Sequence, residues 1–481
     1  MVPNWCILLK LRVLNQNKRM QYTLLNPETT FSSKWYIFKK TTELGKIYET
    51  IAWTELEQLL PPKTSPKGAP AWLKPQGYFG MMFLKHYTGL SDEKLLDLFH
   101  SCSSMQLFCG ILLEEHQQIK NNAFVSHIRS YLSKHLDIKD FQKVMNSYWK
   151  KSGDLENTHL LMMDATCFES YIRYPTDVKL LWECCEKIHE KFIPSFCREN
   201  KLKLPRTVFK DKRKHYLAYS KNRKKGHRKT LRIRKKLLNF LEKSIQLFKE
   251  LQSLVIGYEL NIKTKNTFSV LETVLKQQKE LIEDPTKSVE NRIVSIFKPY
   301  VRPIKRGKEN KPVEFGMKVH MCQTDGINWI EHLSFSAFNE CNRLTTSVLA
   351  HEEVMGKCTH LAADNIYPTN ANRKFITENG IKTNFPKKGR KETDFAKAKA
   401  EKKERNELGK KRSTVLEGSF GNEKNNYMLR KIKALKAETE LIWVLFGVYT
   451  ANVVLISKKR ERKKKEEQDK KAEKFNRIKA A

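Results

Sequence analysis

The sequence predicts an α/β protein: a mixed sheet flanked by helices, an all-α N-terminal domain, and a basic helical hairpin inserted into the sheet-bearing part. Three observations predict it. The apolar stretches 159–167 (HLLMMDATC) and 360–363 read as strands, the first interrupted by Asp164 and the second ending on Asp364. Thr324-Asp325-Gly326 joins two further strand-like runs, Phe315 to Cys322 and Trp329 to Phe335, as a hairpin turn. Finally, Leu237, Leu241, Ile245 and Phe248 recur at helical spacing, as do Phe268, Leu271 and Leu275. They follow a stretch from Arg206 to Lys236 with fifteen Lys or Arg against one acid, so about residues 200–290 read as a long basic helical insertion.

Residues 1–155 are mostly helical in pattern and form the N-terminal domain. The Pro-rich stretch from Pro61 to Pro75 divides them. Gly89-Leu90-Ser91-Asp92-Glu93 reads as a helix stop followed by an N-cap with acids in the first turn. Leu95, Leu96, Leu98 and Phe99 continue that helix, Gly110 ends the next, and Ala123 to Leu132 forms another, with Arg129 near its end. Short helices joined by tight turns suit a helix-turn-helix reader of DNA and equally a plain helical bundle; composition does not choose between them.

Beyond the hairpin, helices are predicted over about Phe338 to Val354 and Asn370 to Glu378, with Gly380 as the stop. A short strand follows at Ile381 to Phe385, and a long helix runs from near Thr414 past Leu435. The apolar run Leu441 to Ile456 is about 16 residues, carries Thr450 and Asn452, falls short of the ~20 that a membrane span needs, and reads as a buried core helix. It closes a catalytic region of residues 156–456; residues 457–481 form a charged tail.

The chain has 481 residues with 91 Lys and Arg against 53 Asp and Glu, a net charge of +38. Such an excess repels itself unless an anionic partner neutralises it, and nucleic acid is the first candidate. Three tracts concentrate it: 206–236, 387–412 and 458–479. The ten cysteines form no Cys-x-x-Cys pair, which argues against a zinc ribbon or a disulfide framework and for reduced thiols in the cytosol. The N-terminal apolar run is broken by Lys10 and Arg12 and does not read as a signal peptide. The tail has almost no apolar residues, so a membrane-surface role is not expected.

The candidate chemistry rests on Asp164, Asp364 and Glu417. An acid inside an apolar strand is costly unless it is paired or bound to metal. The order strand-Asp, hairpin, helix, strand-Asp, helix, strand, helix-Glu allows three carboxylates from distant parts of the chain to converge beside one sheet. Three converging carboxylates suit hard divalent cations, and two ions ~4 Å apart suit phosphodiester chemistry. Residues alone leave a plainer reading open: a strand-end Asp also serves as a turn or cap, and Glu417 also favours a helix N-terminus. Asp325 and Asp177 fit that plainer reading, as turn and N-cap. His320, His332 and His360 lack ligand spacing and read as structural; Trp329, Tyr367 and Phe385 read as core.

The sequence resembles the DDE transposases of bacterial insertion sequences over about residues 75–455. Leu90-Ser91-Asp92-Glu93-Lys94-Leu95 and Phe108-Cys109-Gly110-Ile111 resemble the family's N-terminal helical domain, and Met163-Asp164-Ala165-Thr166 its first-aspartate strand. Tyr174-Pro175-Thr176-Asp177 resembles a turn of one branch, Phe315-Gly316-Met317-Lys318-Val319-His320 the second core strand, and Ala363-Asp364-Asn365-Ile366-Tyr367 the second-aspartate motif. The most specific piece is Glu417-Gly418-Ser419-Phe420-Gly421 with Lys424 and Tyr427: the family's glutamate is followed seven positions later by a lysine on the same helix face. The family also places an arginine four residues before that glutamate and a tyrosine three before the arginine. Here those positions hold Ser413 and Lys410, with Arg412 one residue out of register.

The resemblance implies an RNase H-like catalytic fold and a transposase that binds terminal inverted repeats and cuts and joins DNA strands. It implies Asp164, Asp364 and Glu417 as catalytic metal ligands for two Mg²⁺ or Mn²⁺ ions. Lys424, Tyr427, Arg412 and Arg129 become candidate DNA contacts, with double-stranded DNA as partner, a homodimer in the DNA complex and a cytoplasmic, nucleoid-associated location. The alternative is an inactive, transposase-derived DNA-binding protein.

Overall fold

Short helices build the N-terminal region because their apolar residues recur on one face, with caps at Thr42, Ser91 and Asp137 and a glycine turn at Gly89 marking several of their ends. The computed structural model describes residues 27–61, 72–114, 117–255, 257–305, 312–389 and 394–480. The apolar N-terminal run, residues 62–71 of the Pro-rich stretch and residues 390–393 of the second basic tract lie outside them. The helices are α1 (Pro27–Thr41), α2 (Glu43–Tyr48), α3 (Trp53–Glu57), α4 (Pro75–Thr88), α5 (Asp92–Ser101), α6 (Ser103–Phe108), α7 (Phe124–His135) and α8 (Ile138–Lys151). Gly89 ends α4 at φ 67°, and Ser91 caps α5 by accepting a hydrogen bond from the Lys94 amide, as the sequence predicts.

The sheet begins with β1 (Leu160–Ser170), the strand that carries Asp164. The basic insertion follows: α9 (Asp177–Lys187), α10 (Ile193–Glu199), α11 (Phe209–Lys221), α12 (His227–Ser253) and α13 (Ile262–Glu283). Then come β2 (Arg302–Lys305), β3 (Val313–Thr324), β4 (Ile327–Ser334), α14 (Leu344–Met355), β5 (His360–Ala362), α15 (Asn370–Glu378), β6 (Lys382–Thr383), α16 (Phe395–Lys411), α17 (Glu417–Asn426), β7 (Lys431–Ile432) and α18 (Ala437–Ala480). β1 lies at the centre, antiparallel to β3 on one side and parallel to β5 on the other; β4 pairs antiparallel with β3, and β6 parallel with β5. Short β2 extends the β4 edge and β7 the β5 side. This mixed sheet with helices on both faces is an RNase H-like core.

Alternation along β1 assigns its two faces. Leu161 and Met163 enter one apolar layer with Leu344, Val348, Leu361 and Tyr367. Met162 and Phe168 enter the opposite layer, which runs without a break into the N-terminal helices and α18. Asp164 and Thr166 share the parity of Met162, so they face the α16–α17 side. The β1–β3 pairing is close at Gly316, where a Cβ would come within 2.2 Å of the Phe168 carbonyl oxygen; only glycine fits there. Asp325 and Gly326 take φ of 49° and 88°, the left-handed pair that a two-residue hairpin of this twist needs. The run Leu441–Ile456 is buried, and the most apolar window of α18 is 83% covered.

Three expectations change. The helix predicted from near Thr414 starts at Phe395 and is capped by Asp394, so Glu417 sits mid-helix rather than in a first turn. That helix ends at Asn426, because Met428 turns left-handed at φ 60° and Lys431–Ile432 pair with the end of β1; apolar spacing at Leu429, Ile432 and Leu435 imitates a continuing helix. Asp177 does not cap α9. Its carboxylate accepts from Gln278 at 2.9 Å and pairs with Arg292 at 2.6 Å and Arg234 at 3.4 Å, clamping α12, α13 and the chain beyond onto α9.

Two buried histidines, His86 and His351, and the half-buried His189 set an acid limit on this fold. Burial pushes His86 down to about 3, and His189 and His351 down to about 4. The unfolded chain therefore binds more protons than the folded one below about pH 6.5, so stability is complete above that pH and falls as pH drops towards 4. Moving from pH 6.5 to 5 is expected to cost about 2 kcal/mol through His86 alone. Urea midpoints at the two pH values measure this, and His86→Gln should lessen the difference; an identical difference in that variant removes His86 as the cause.

Candidate active site

Asp164 is placed mid-strand on β1, where pairing with Met321 of β3 fixes its direction, just past the end of the β1–β5 ladder at Met162. Its Oδ1 accepts from the Ala165 amide at 2.8 Å and its Oδ2 from Arg412 Nη1 at 2.8 Å. Burial, together with the charges of Asp364 and Glu340, pushes its carboxyl up to about 6 against the opposing pull of Arg412. Asp364 lies just past β5, half exposed. Asn384, which sequence reasoning missed, grips the residue before it: its Oδ1 accepts from the Ala363 amide at 3.0 Å and its Nδ2 donates to the Ala363 carbonyl at 2.9 Å. An Asn after a short strand gives no signal in the sequence until its partner strand is known.

Glu417 arrives on the long helix. Between α16 and α17 the backbone makes a π turn over Arg412–Leu416, with the Glu417 amide donating to the Arg412 carbonyl five residues back. A π turn takes up one extra residue, so Arg412, five before Glu417, occupies the angular position of a residue four before it in a regular α-helix. The apparent register fault is absorbed by the backbone. The Arg412 guanidinium meets all three acids: Asp164 at 2.8 Å, Glu417 at 3.3 Å and Asp364 at 3.6 Å. One planar cation thus spans three carboxylates contributed by β1, the end of β5 and α17.

Lys424, seven residues after Glu417, donates to Thr166 Oγ1 at 2.9 Å and lies 5.7 Å from the Phe168 ring centre, over the β1 face that carries Asp164. Tyr427 is half-buried where α17 ends; its carbonyl bonds His86 Nδ1 at 3.1 Å, and burial raises its hydroxyl pKa. On the other side, buried Tyr367 shares a 2.8 Å hydrogen bond with His320 Nε2, His320 Nδ1 reaches Glu331 at 3.1 Å, and Glu331 pairs with Arg343. His320 and Tyr367 are core residues, as expected, yet this polar chain braces the Asp364 loop from below.

Arg129 stands apart from the site. It is 5% exposed, its Nη2 donates to both Asp92 oxygens at 3.0 and 3.1 Å, and its guanidinium lies 4.8 Å from the Trp443 ring centre. As a DNA contact it is replaced by a packing role, because a covered guanidinium held by Asp92 and Trp443 does not reach a phosphate. Arg129→Ala is expected to lower stability by roughly 3 kcal/mol, the scale for breaking a buried pair, while DNA affinity per folded molecule is unchanged. A binding loss in fully folded variant would restore the DNA role.

Two family models match the chain. The Transposase domain (DUF772) matches residues 35–130, the N-terminal helices, and the Transposase DDE domain matches residues 361–448, which include Asp364, Arg412, Glu417 and Lys424. The chain is thus similar to transposases in two separate stretches, and the two matches support a DDE transposase of an insertion element. No curated protein and no solved structure was found to match it.

Proposed function

We propose that this chain binds the terminal inverted repeats of its element and cleaves and transfers DNA strands, with Asp164, Asp364 and Glu417 as metal ligands. The observation that carries the reading is the convergence of these three acids on the single Arg412 guanidinium. The donor set fits a hard divalent cation: all three groups are carboxylates, and burial, with a smaller push from Asp364 and Glu340, makes the Asp164 charge costly unless it is neutralised. Among the described residues, no such group closes around one point as it stands, Arg412 occupying the space between. Mg²⁺ or Mn²⁺, when bound, supplies water or hydroxyl activation and charge neutralisation at the phosphodiester. The remaining roles belong to side chains: Lys424 meets a phosphate beside β1, and Arg412 orders the acids until a cation or phosphate competes for it.

Binding is assigned to the basic tracts, and selection of the element ends to the helices of residues 75–150. α11 buries no side chain, and Lys221, Arg223, Lys224, Lys225, Arg228 and Lys229 are exposed around the turn into α12. Few aromatics or amides accompany them, so they suit phosphates rather than base edges. Changing those six to Gln is expected to reduce the slope of log affinity against log salt by up to about five, at ~0.9 per phosphate contact. An unchanged slope would remove this tract from the interface. Wild-type binding with no cleavage under any divalent ion would favour the inactive, DNA-binding alternative.

A further inference from the structure

α17 carries both Glu417 and Lys424 yet has little apolar surface with which to dock. Only Phe420 and Glu423 are buried on it, and Gly418 and Gly421 face open space. Two glycines also weaken a helix intrinsically. Its orientation therefore rests on polar contacts. Glu423, 1% exposed, accepts from Asn328 Nδ2 at 2.5 Å, and the same Nδ2 donates to Ser419 Oγ at 2.8 Å, one turn earlier on α17. Gln323 Nε2 donates to Asn328 Oδ1 at 2.8 Å and to Ser419 Oγ at 3.2 Å. Asn452 of α18 holds the Asn328 backbone from the far side, accepting from its amide at 3.0 Å and donating to its carbonyl at 2.7 Å. Asn328 thus ties the β3–β4 hairpin, α17 and α18 together.

Two acceptors in this cluster, Glu423 Oε2 and Gln323 Oε1, are buried and have no partner among the described residues. A protonated carboxyl can donate where an ionised one only accepts, which suits a buried acid with an unpaired oxygen. Burial pushes Glu423 up to about 7, opposed by Asn328 and by the charge of the neighbouring Lys424. Burial thus favours the protonated form of the group that glues α17 far more than in an ordinary glutamate.

We propose that Glu423 is a positioning residue of the transposase: its buried carboxyl, through Asn328 and Ser419, aims the helix that presents Glu417 and Lys424 to β1. The role rests on the proposed function only for its kinetic consequence. The test compares full-length wild type, Glu423→Leu and Glu423→Gln by amide exchange and by cleavage of labelled element-end DNA. Leucine leaves the Asn328 donor buried without its acceptor; α17 amides are expected to exchange at least about tenfold faster, and kcat to fall at least about tenfold, with KM for DNA held within about twofold. Glutamine copies the neutral acid and is expected to restore both. Wild-type exchange and kcat in Glu423→Leu would overturn the proposal, and so would a glutamine variant as impaired as the leucine one, since the ionised form would then be required. If wild type itself fails to cleave, the reading as an active enzyme falls while the exchange rates still decide this one.

Discussion

Alanine at Asp164, Asp364 or Glu417 is expected to reduce strand cleavage at least about a thousandfold, because each removes a ligand from a centre that contributes several kcal/mol to the transition state. DNA affinity should stay near the wild-type value. The phosphate-facing cations lie mainly in other tracts, and losing a carboxylate removes repulsion rather than attraction. Loss should be deepest for Asp164, which is the most buried of the three and is held in place by its pairing with β3. Cleavage of a labelled element end, with binding followed in parallel, measures both effects. Full cleavage by any one variant would remove that residue from the set.

Arg412→Ala is expected to act in the opposite sense on the same centre. Without divalent ions, three carboxylates lose their shared counter-charge, and stability should drop by about 1.5–3 kcal/mol, the scale of a charge-assisted hydrogen bond. Adding Mg²⁺ or Mn²⁺ should narrow the gap to wild type, since the ion replaces the missing charge, and the variant should bind Mn²⁺ more tightly because nothing competes with it. Arg412→Lys keeps a charge but not the planar fork that spans three acids, so it should fall between the two. Melting curves with and without the ion decide the matter. An equal deficit in both conditions would mean that Arg412 acts by packing alone.

Strands were legible wherever apolar runs met a diagnostic interruption: Asp164 within β1, Asp325-Gly326 between β3 and β4, and Asp364 after β5. Asp164 and Asp364 stood out as candidates for the same reason, that a carboxylate in an apolar strand demands a partner, whereas Glu417 lies on a helix and was singled out through the family resemblance. What escaped the sequence depends on long-range geometry. Nothing local distinguishes the covered Arg129 from an exposed one, because Asp92 and Trp443 reach it from elsewhere in the chain. The register of Arg412 depends on a π turn, which has no compositional signature in Arg-Ser-Thr-Val-Leu. Ion pairing of Asp177 with Arg234 and Arg292 is likewise invisible until the insertion folds back.

The last helix is a single rigid member with two unlike halves. Its inner half is walled in by aromatic rings, with Phe446 5.3 Å from Phe141 and Tyr449 stacked 5.8 Å from Trp149. At the surface it is bracketed by Arg460 on both oxygens of Asp154, by Lys459 on Asp325 at the hairpin tip, by Glu461 on Lys46 and by Lys463 on Glu156. Beyond those brackets the residues to Ala480 continue as helix, rising ~1.5 Å each, so the arm past Lys463 is roughly 25 Å long. A stiff arm transmits torque where a flexible tail would dissipate it. Force applied to its basic tip arrives at the hairpin and at the seam between the N-terminal helices and the sheet, the same seam whose Asn452–Asn328 contact lies against α17.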